Sequence, residues 1–150
     1  MALAEQIQAD LTAAMKARDG ETVATLRMVV AAIKNLRVAE GHAGDVSDEE
    51  TLGLLTQQAK QRTEAAESYE EAGRDDLAAK ERRELEVIRR YLPEQLDDDE
   101  LAALVDEAVA ETGASGPGDL GRVMGALMTR VKGRADGKRV NALVRARLGA

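Results

Sequence analysis

The chain has no cysteine, tryptophan or phenylalanine, and Tyr69 and Tyr91 are its only aromatics. Without cysteine there can be no zinc finger, iron–sulfur cluster or thiol nucleophile. His42 is the single histidine, which excludes a two-histidine metal centre. Two tyrosines cannot build the aromatic platform on which single-stranded bases stack. No apolar run approaches the ~20 residues of a membrane span. The start, Met1-Ala2-Leu3-Ala4-Glu5-Gln6, lacks the basic-then-apolar order of an export signal. A phosphate loop, a dinucleotide fingerprint, a serine triad and a zinc-protease motif are all missing. These absences lead to the expectation of a cytoplasmic protein with no membrane contact, no metal and no cofactor.

What remains is helix-forming material. The 150 residues are 44% hydrophobic and 33% charged, the balance of a folded domain, or of a domain plus a small module. The net charge is −7 but is unevenly spread. Residues 94–118 carry eight acids and no base, whereas residues 119–150 carry eight bases and two acids. The basic end therefore sets the local field that a polyanion would meet, whatever the total charge.

Apolar residues recur with helical spacing almost throughout, so an all-α fold is expected. Leu3, Ile7, Leu11 and Met15 form a first stripe. Asp19 can cap a second helix, with Val23, Leu26, Val30 and Ile33 inward. Residues Glu40–Val46 read as a loop, and Ser47-Asp48-Glu49-Glu50 as a capping box opening a third helix. That helix buries Leu52, Leu55, Ala59 and Ala66 and stops at Gly73. A fourth carries Leu77, Leu85, Ile88 and Leu92 inward and ends at Pro93. Pro93-Glu94-Gln95-Leu96 is the expected joint between a four-helix domain over 1–93 and a three-helix tail over 97–150. The tail helices carry Leu101, Leu104, Val105 and Ala108; then Leu120, Val123, Met124, Leu127, Met128 and Val131; then Val140, Leu143, Val144 and Leu148.

Chemistry is concentrated in the tail. Lys132, Arg134, Lys138 and Arg139 crowd the turn before the last helix, and Lys138, Asn141 and Arg145 share one outward helical face. The free amides of that helix N-terminus can hold a phosphate, unless Asp136 takes them as the N-cap. Gly121 and Gly125, four apart, allow close approach either of another helix or of a phosphate backbone. Any nucleic-acid contact would go through phosphate and shape. Elsewhere, Arg62, Glu81 and Glu84 intrude on apolar faces, as a register-setting ion network or as an acid–base pair.

The runs Val123-Met124-Gly125-Ala126-Leu127-Met128, Val131-Lys132-Gly133-Arg134-Ala135-Asp136-Gly137 and Val140-Asn141 resemble the tail domain of the B subunit of the tRNA-dependent amidotransferase. They also resemble the free-standing YqeY proteins, which share that tail. Further matches to YqeY are Leu26-Arg27-Met28, Ile33-Lys34-Asn35, Lys60-Gln61-Arg62, Ala72-Gly73-Arg74 with Leu77, Lys80-Glu81, and Tyr91-Leu92-Pro93-Glu94-Gln95-Leu96. The resemblance implies a helical N-terminal domain, a three-helix tail, and tRNA engagement by the tail. Residue by residue it points to Gly125, Lys132, Gly133, Arg134, Lys138 and Arg139. The chain is too short for the amidotransferase's catalytic cradle, so no catalytic residue carries over, although similarity alone would suggest a carbon–nitrogen ligase using glutamine as amide donor. The expectation is a non-catalytic protein whose partner is tRNA or a tRNA-handling enzyme. The rival is a protein-interaction module that needs no RNA.

Overall fold

The computed structural model describes residues 1–39, 41–42 and 44–149. Glu40 and Ala43 of the expected loop, and Ala150 at the end of the expected tail, lie outside the described residues. Seven α-helices and one short 3-10 turn, Pro117–Asp119, make up the regular structure, with no strand among the described residues. The chain divides into two compact units, Met1–Leu92 and Pro93–Ala150.

The first unit holds α1 (Leu3–Ala17), α2 (Gly20–Val38), α3 (Asp48–Glu71) and α4 (Asp75–Arg89). Ile7, Leu11, Leu26, Val29, Ile33, Val46, Leu55, Val87 and Ile88 form its core. Each such large side chain contributes about 1.5–3 kcal/mol relative to exposure. Met15, expected inward, is 49% exposed, and Ala14 is buried instead. A helix advances ~100° per residue, so a strict four-residue stripe drifts about 40° per step. Three steps from Leu3 carry Met15 off the core face. On α2 the same geometry favours Thr22, Thr25, Leu26, Val29 and Ile33, leaving Val23 and Val30 half-buried. Leu52, Ala59, Leu77 and Leu92 are half-buried rather than core.

Local signals explain the helix ends. Asp19 accepts the Thr22 amide at 3.2 Å and the Thr22 hydroxyl at 2.7 Å. The hydroxyl first, then the amide, hold its carboxyl below the usual carboxylate range. The residue that turns left-handed after α1 is Arg18 (φ 58°), and Gly20 already begins α2. Gly73 (φ 72°) stops α3 as expected: its amide reaches the Glu70 carbonyl, and the Arg74 amide reaches Tyr69 at 2.8 Å. Helix α4 stops at Arg89, ahead of Pro93, because the Tyr91 and Leu92 amides bond three residues back and tighten the last turn.

Two helix starts, at Ser47 and at Asp97, carry a capping residue with a glutamate three positions on, and they behave differently. Asp97 and Glu100 form a complete box, each side chain accepting the other's amide, at 2.7 and 3.0 Å. At Ser47 only half forms. The Ser47 hydroxyl accepts the Glu50 amide, but the Glu50 carboxylate lies 2.7 Å from His42 Nε2.

The second unit holds α5 (Asp98–Thr112), α6 (Leu120–Val131) and α7 (Gly137–Leu148). Its core is Leu96, Leu101, Val105, Ala108, Val123, Leu127, Val131, Val140, Val144 and Leu148. Leu104, Leu120, Met124, Met128 and Leu143 pack partly buried against it. Gly113 (φ 66°) ends α5. The Asp119 carboxylate closes the following turn. The Ser115 amide that it accepts at 3.0 Å, and then Arg122, keep its carboxyl lower than usual. Residues 93–96 belong to this unit. Leu96 N–H donates to the Arg134 carbonyl at 2.8 Å, and Gln95 Nε2 donates to the Gly133 carbonyl at 2.8 Å.

Candidate nucleic-acid interface

The basic turn is built by the end of α6. Lys132 leaves helical geometry (ψ 123°), and Gly133 takes φ 77°, a left-handed value that costs a side-chain-bearing residue about 1–2 kcal/mol. This chain reversal delivers Arg134 and then Asp136, the N-cap of α7. Asp136 accepts the Lys138 amide at 3.1 Å. A carboxylate therefore already occupies the helix N-terminus where a phosphate was one expectation, and the amides there are not an anion site.

The side chains around the turn fall into two groups. One group is engaged with carboxylates. Arg139 pairs with Asp98 and also donates to the Leu96 carbonyl at 3.3 Å. Arg130 reaches Glu111 at 2.5 Å and Glu107 at 3.7 Å, Arg147 reaches Asp106 at 2.7 Å, and Arg122 reaches Asp119 at 2.6 Å. Three of these four arginines are matched by acids of α5. Arg139, expected on the RNA face, is thus a strut between α7 and the start of α5.

The other group has no carboxylate partner among the described residues: Lys132, Arg134, Lys138 and Arg145. Arg134 Nε donates to the Glu94 carbonyl at 3.2 Å, which fixes the guanidinium without neutralising it. Arg145 Nε donates to Asn141 Oδ1 at 2.7 Å, one turn away on the same face of α7. Lys132, Lys138 and Arg145 are exposed, and Arg134, Asn141 and Gly133 are partly so.

Gly121 and Gly125 do not serve helix packing. Both are exposed, and a Cβ built on either meets nothing within 4 Å. The tight helix contact, one of the two readings of this pair, is absent among the described residues, because α6 packs through Val123, Leu127 and Val131 instead. Sequence reasoning missed the uptake of arginines by α5. The signal was present as two oppositely charged blocks, residues 94–118 and 119–150, inside one small unit.

The Arg62 cluster resolves in part. Arg62 Nε lies 3.2 Å from Glu84 Oε2, with 10% and 17% of the two side chains exposed. Glu81 joins no ion pair among the described residues. Glu84 is held by Arg62 Nε, so it is not a vacant base. No group of three His, Cys, Asp or Glu side chains among the described residues is placed to hold a metal, and no described helix is long and apolar enough to cross a membrane.

Comparison with known proteins agrees with the resemblance in the sequence. The chain is 32% identical over 149 residues to "Altered inheritance of mitochondria protein 41, mitochondrial" of Pyrenophora tritici-repentis, covering 97% of this chain and 80% of that protein. It is 32% identical over 91 residues to the protein of the same name in Clavispora lusitaniae, covering 61% of this chain and 52% of that one. It is also 32% identical over 88 residues to a glutamyl-tRNA(Gln) amidotransferase component of Thermococcus gammatolerans, covering 56% of this chain but 14% of that protein. The family model described as Yqey-like protein matches residues 4–148. With a family match along almost its whole length and seven helices among the described residues, this chain belongs to the Yqey-like protein family.

Proposed function

We propose that the second unit binds tRNA through its phosphate backbone and performs no chemistry on it. The observation that carries this reading is the division of the tail's bases. Arg122, Arg130, Arg139 and Arg147 are engaged with carboxylates, while Lys132, Arg134, Lys138 and Arg145 are left with none among the described residues. Cations without a carboxylate partner displace the counterions condensed on a nucleic acid when they meet its phosphates, and this drives nonspecific polyanion binding. Gly125 adds an open stretch of helix backbone nearby in sequence, and Gly133 shapes the turn. With two tyrosines in the whole chain, the grip is on shape and charge rather than on stacked bases. The similarity to an amidotransferase component named for glutamyl-tRNA(Gln) supports tRNA as the nucleic acid.

No catalytic residue is assigned, and the carbon–nitrogen ligase reading is set aside because no residue set carries it. A tRNA-handling enzyme is a natural second partner for such a module. The cytoplasm is the compartment this reading favours; the mitochondrial label belongs to the fungal relatives.

The test is binding of labelled tRNA across a salt series. The expected result is affinity that falls steeply with salt, with a log–log slope of about −3 for four phosphate contacts on a structured RNA. Charge reversal of Lys132, Arg134, Lys138 and Arg145 together is expected to abolish it. Undiminished binding by that variant overturns the reading. A partner captured equally well from nuclease-treated lysate, with no tRNA affinity, favours the RNA-independent interaction module.

A further inference from the structure

Arg62 is an unusual occupant of the inner face of α3, with only 10% of its side chain exposed. A guanidinium carries five N–H donors and no acceptor. Nε donates to Glu84 Oε2 at 3.2 Å, and Nη1 donates to the Gln58 carbonyl and to Gln58 Oε1, both at 3.3 Å. Among the described residues Nη2 has only the sulfur of Met28, at 3.8 Å. A thioether is a weak acceptor. One end of a buried cation is therefore poorly served, where burial makes that costly. Met28 itself is 43% exposed, so solvent and small oxidants reach its side chain.

We propose that Met28 is a site of reversible oxidation by peroxides, and that Arg62 receives the resulting sulfoxide. A sulfur lone pair attacks one oxygen of hydrogen peroxide. The S–O bond forms as the O–O bond breaks, and the departing hydroxide takes the proton of the transferred oxygen and leaves as water. Sulfur gives up two electrons and the peroxide accepts them. The new sulfoxide oxygen is a strong acceptor beside Arg62 Nη2. Methionine oxidation commonly places a polar group among apolar neighbours and loosens them. Here it supplies the acceptor that Nη2 lacks, and it ties α2 to α3, which α4 already grips through Glu84. Sulfoxide reductases can return the thioether. Met15, 49% exposed, has no arginine donor among the described hydrogen bonds and serves as the internal control.

The test exposes the full chain to hydrogen peroxide, maps sulfoxides by peptide mass spectrometry and follows thermal unfolding. The Met28→Leu variant goes through the same treatment, so the difference between the two isolates Met28. Met28 is expected to oxidise in the folded chain and to strengthen the folding equilibrium by about tenfold relative to the treated variant. A Met28→Gln variant, with a carbonyl oxygen in the same neighbourhood, is expected to melt above Met28→Leu without any oxidant. The proposal is overturned if Met28 stays reduced while Met15 is fully converted. It is equally overturned if its oxidation leaves the melting temperature unchanged or lower, or if Met28→Gln is no more stable than Met28→Leu.

Discussion

The Tyr91 hydroxyl donates to the Asp10 carboxylate at 2.6 Å and fastens the last residues of the first unit to its first helix. Burial, and next the bond to Asp10, push the phenol well above its usual pKa of about 10. The folded chain therefore holds this proton longer than the unfolded chain does. The contribution is complete below pH ~10 and is lost as pH rises from there toward the folded value. Tyr91→Phe is expected to cost about 1 kcal/mol at neutral pH, discounted for partial exposure. It is also expected to flatten the alkaline fall in stability. Urea unfolding of both proteins between pH 8 and pH 11 measures the two effects (about three units of pH suffice to bracket an ordinary phenol).

The Arg62–Glu84 pair lends itself to a double-mutant cycle. Removing one partner strands a largely buried charge, so Arg62→Met or Glu84→Leu alone is expected to cost about 3 kcal/mol. The double variant fills the same space with apolar atoms and is expected to recover most of that loss. A loss in the double variant equal to the sum of the two single losses, read by denaturant unfolding, would mean that the pair holds nothing together.

Thr25 is 1% exposed, and its hydroxyl has no hydrogen-bond partner among the described residues. Replacing the hydroxyl with a methyl group of similar shape removes a desolvated polar atom. Thr25→Val is therefore expected to stabilise the first unit by about 1 kcal/mol. A rise in melting temperature checks it.

Gly125 separates stability from binding. With open space around its Cβ direction, Gly125→Ala is expected to raise stability by about 1 kcal/mol through helix propensity alone. If the RNA backbone approaches α6 at this position, the same variant lowers tRNA affinity while the fold becomes firmer. Calorimetric unfolding beside tRNA titration distinguishes the two effects.

Much of the architecture is legible in the sequence because its causes are local. Asp19, Ser47 and Asp97 each announce a helix start, and Gly73 and Gly113 announce a stop, from chemistry within four residues. What stays hidden depends on neighbours distant in sequence. The capping pattern asks Glu50 to complete its cap, but His42, eight residues earlier, holds its carboxylate. Arg139 looks free to meet RNA in the sequence, yet Asp98 lies against it from 41 positions away. Met15 fails for a geometric reason, the drift of a four-residue stripe. Gly121 and Gly125 mislead because small size can equally mean close contact or bare surface. In the candidate site the basic turn is visible, but its division into matched and unmatched cations is not. That division depends on how α5 lies along α6 and α7.

Residues 93–96 stitch themselves to the Gly133–Arg134 reversal through main-chain and amide bonds. Trimming the polypeptide to begin at Asp97 would strip away this collar, together with the buried Leu96 plug and the Glu94 carbonyl that steadies Arg134. A fragment meant to present the cationic turn in its native posture must start at Pro93.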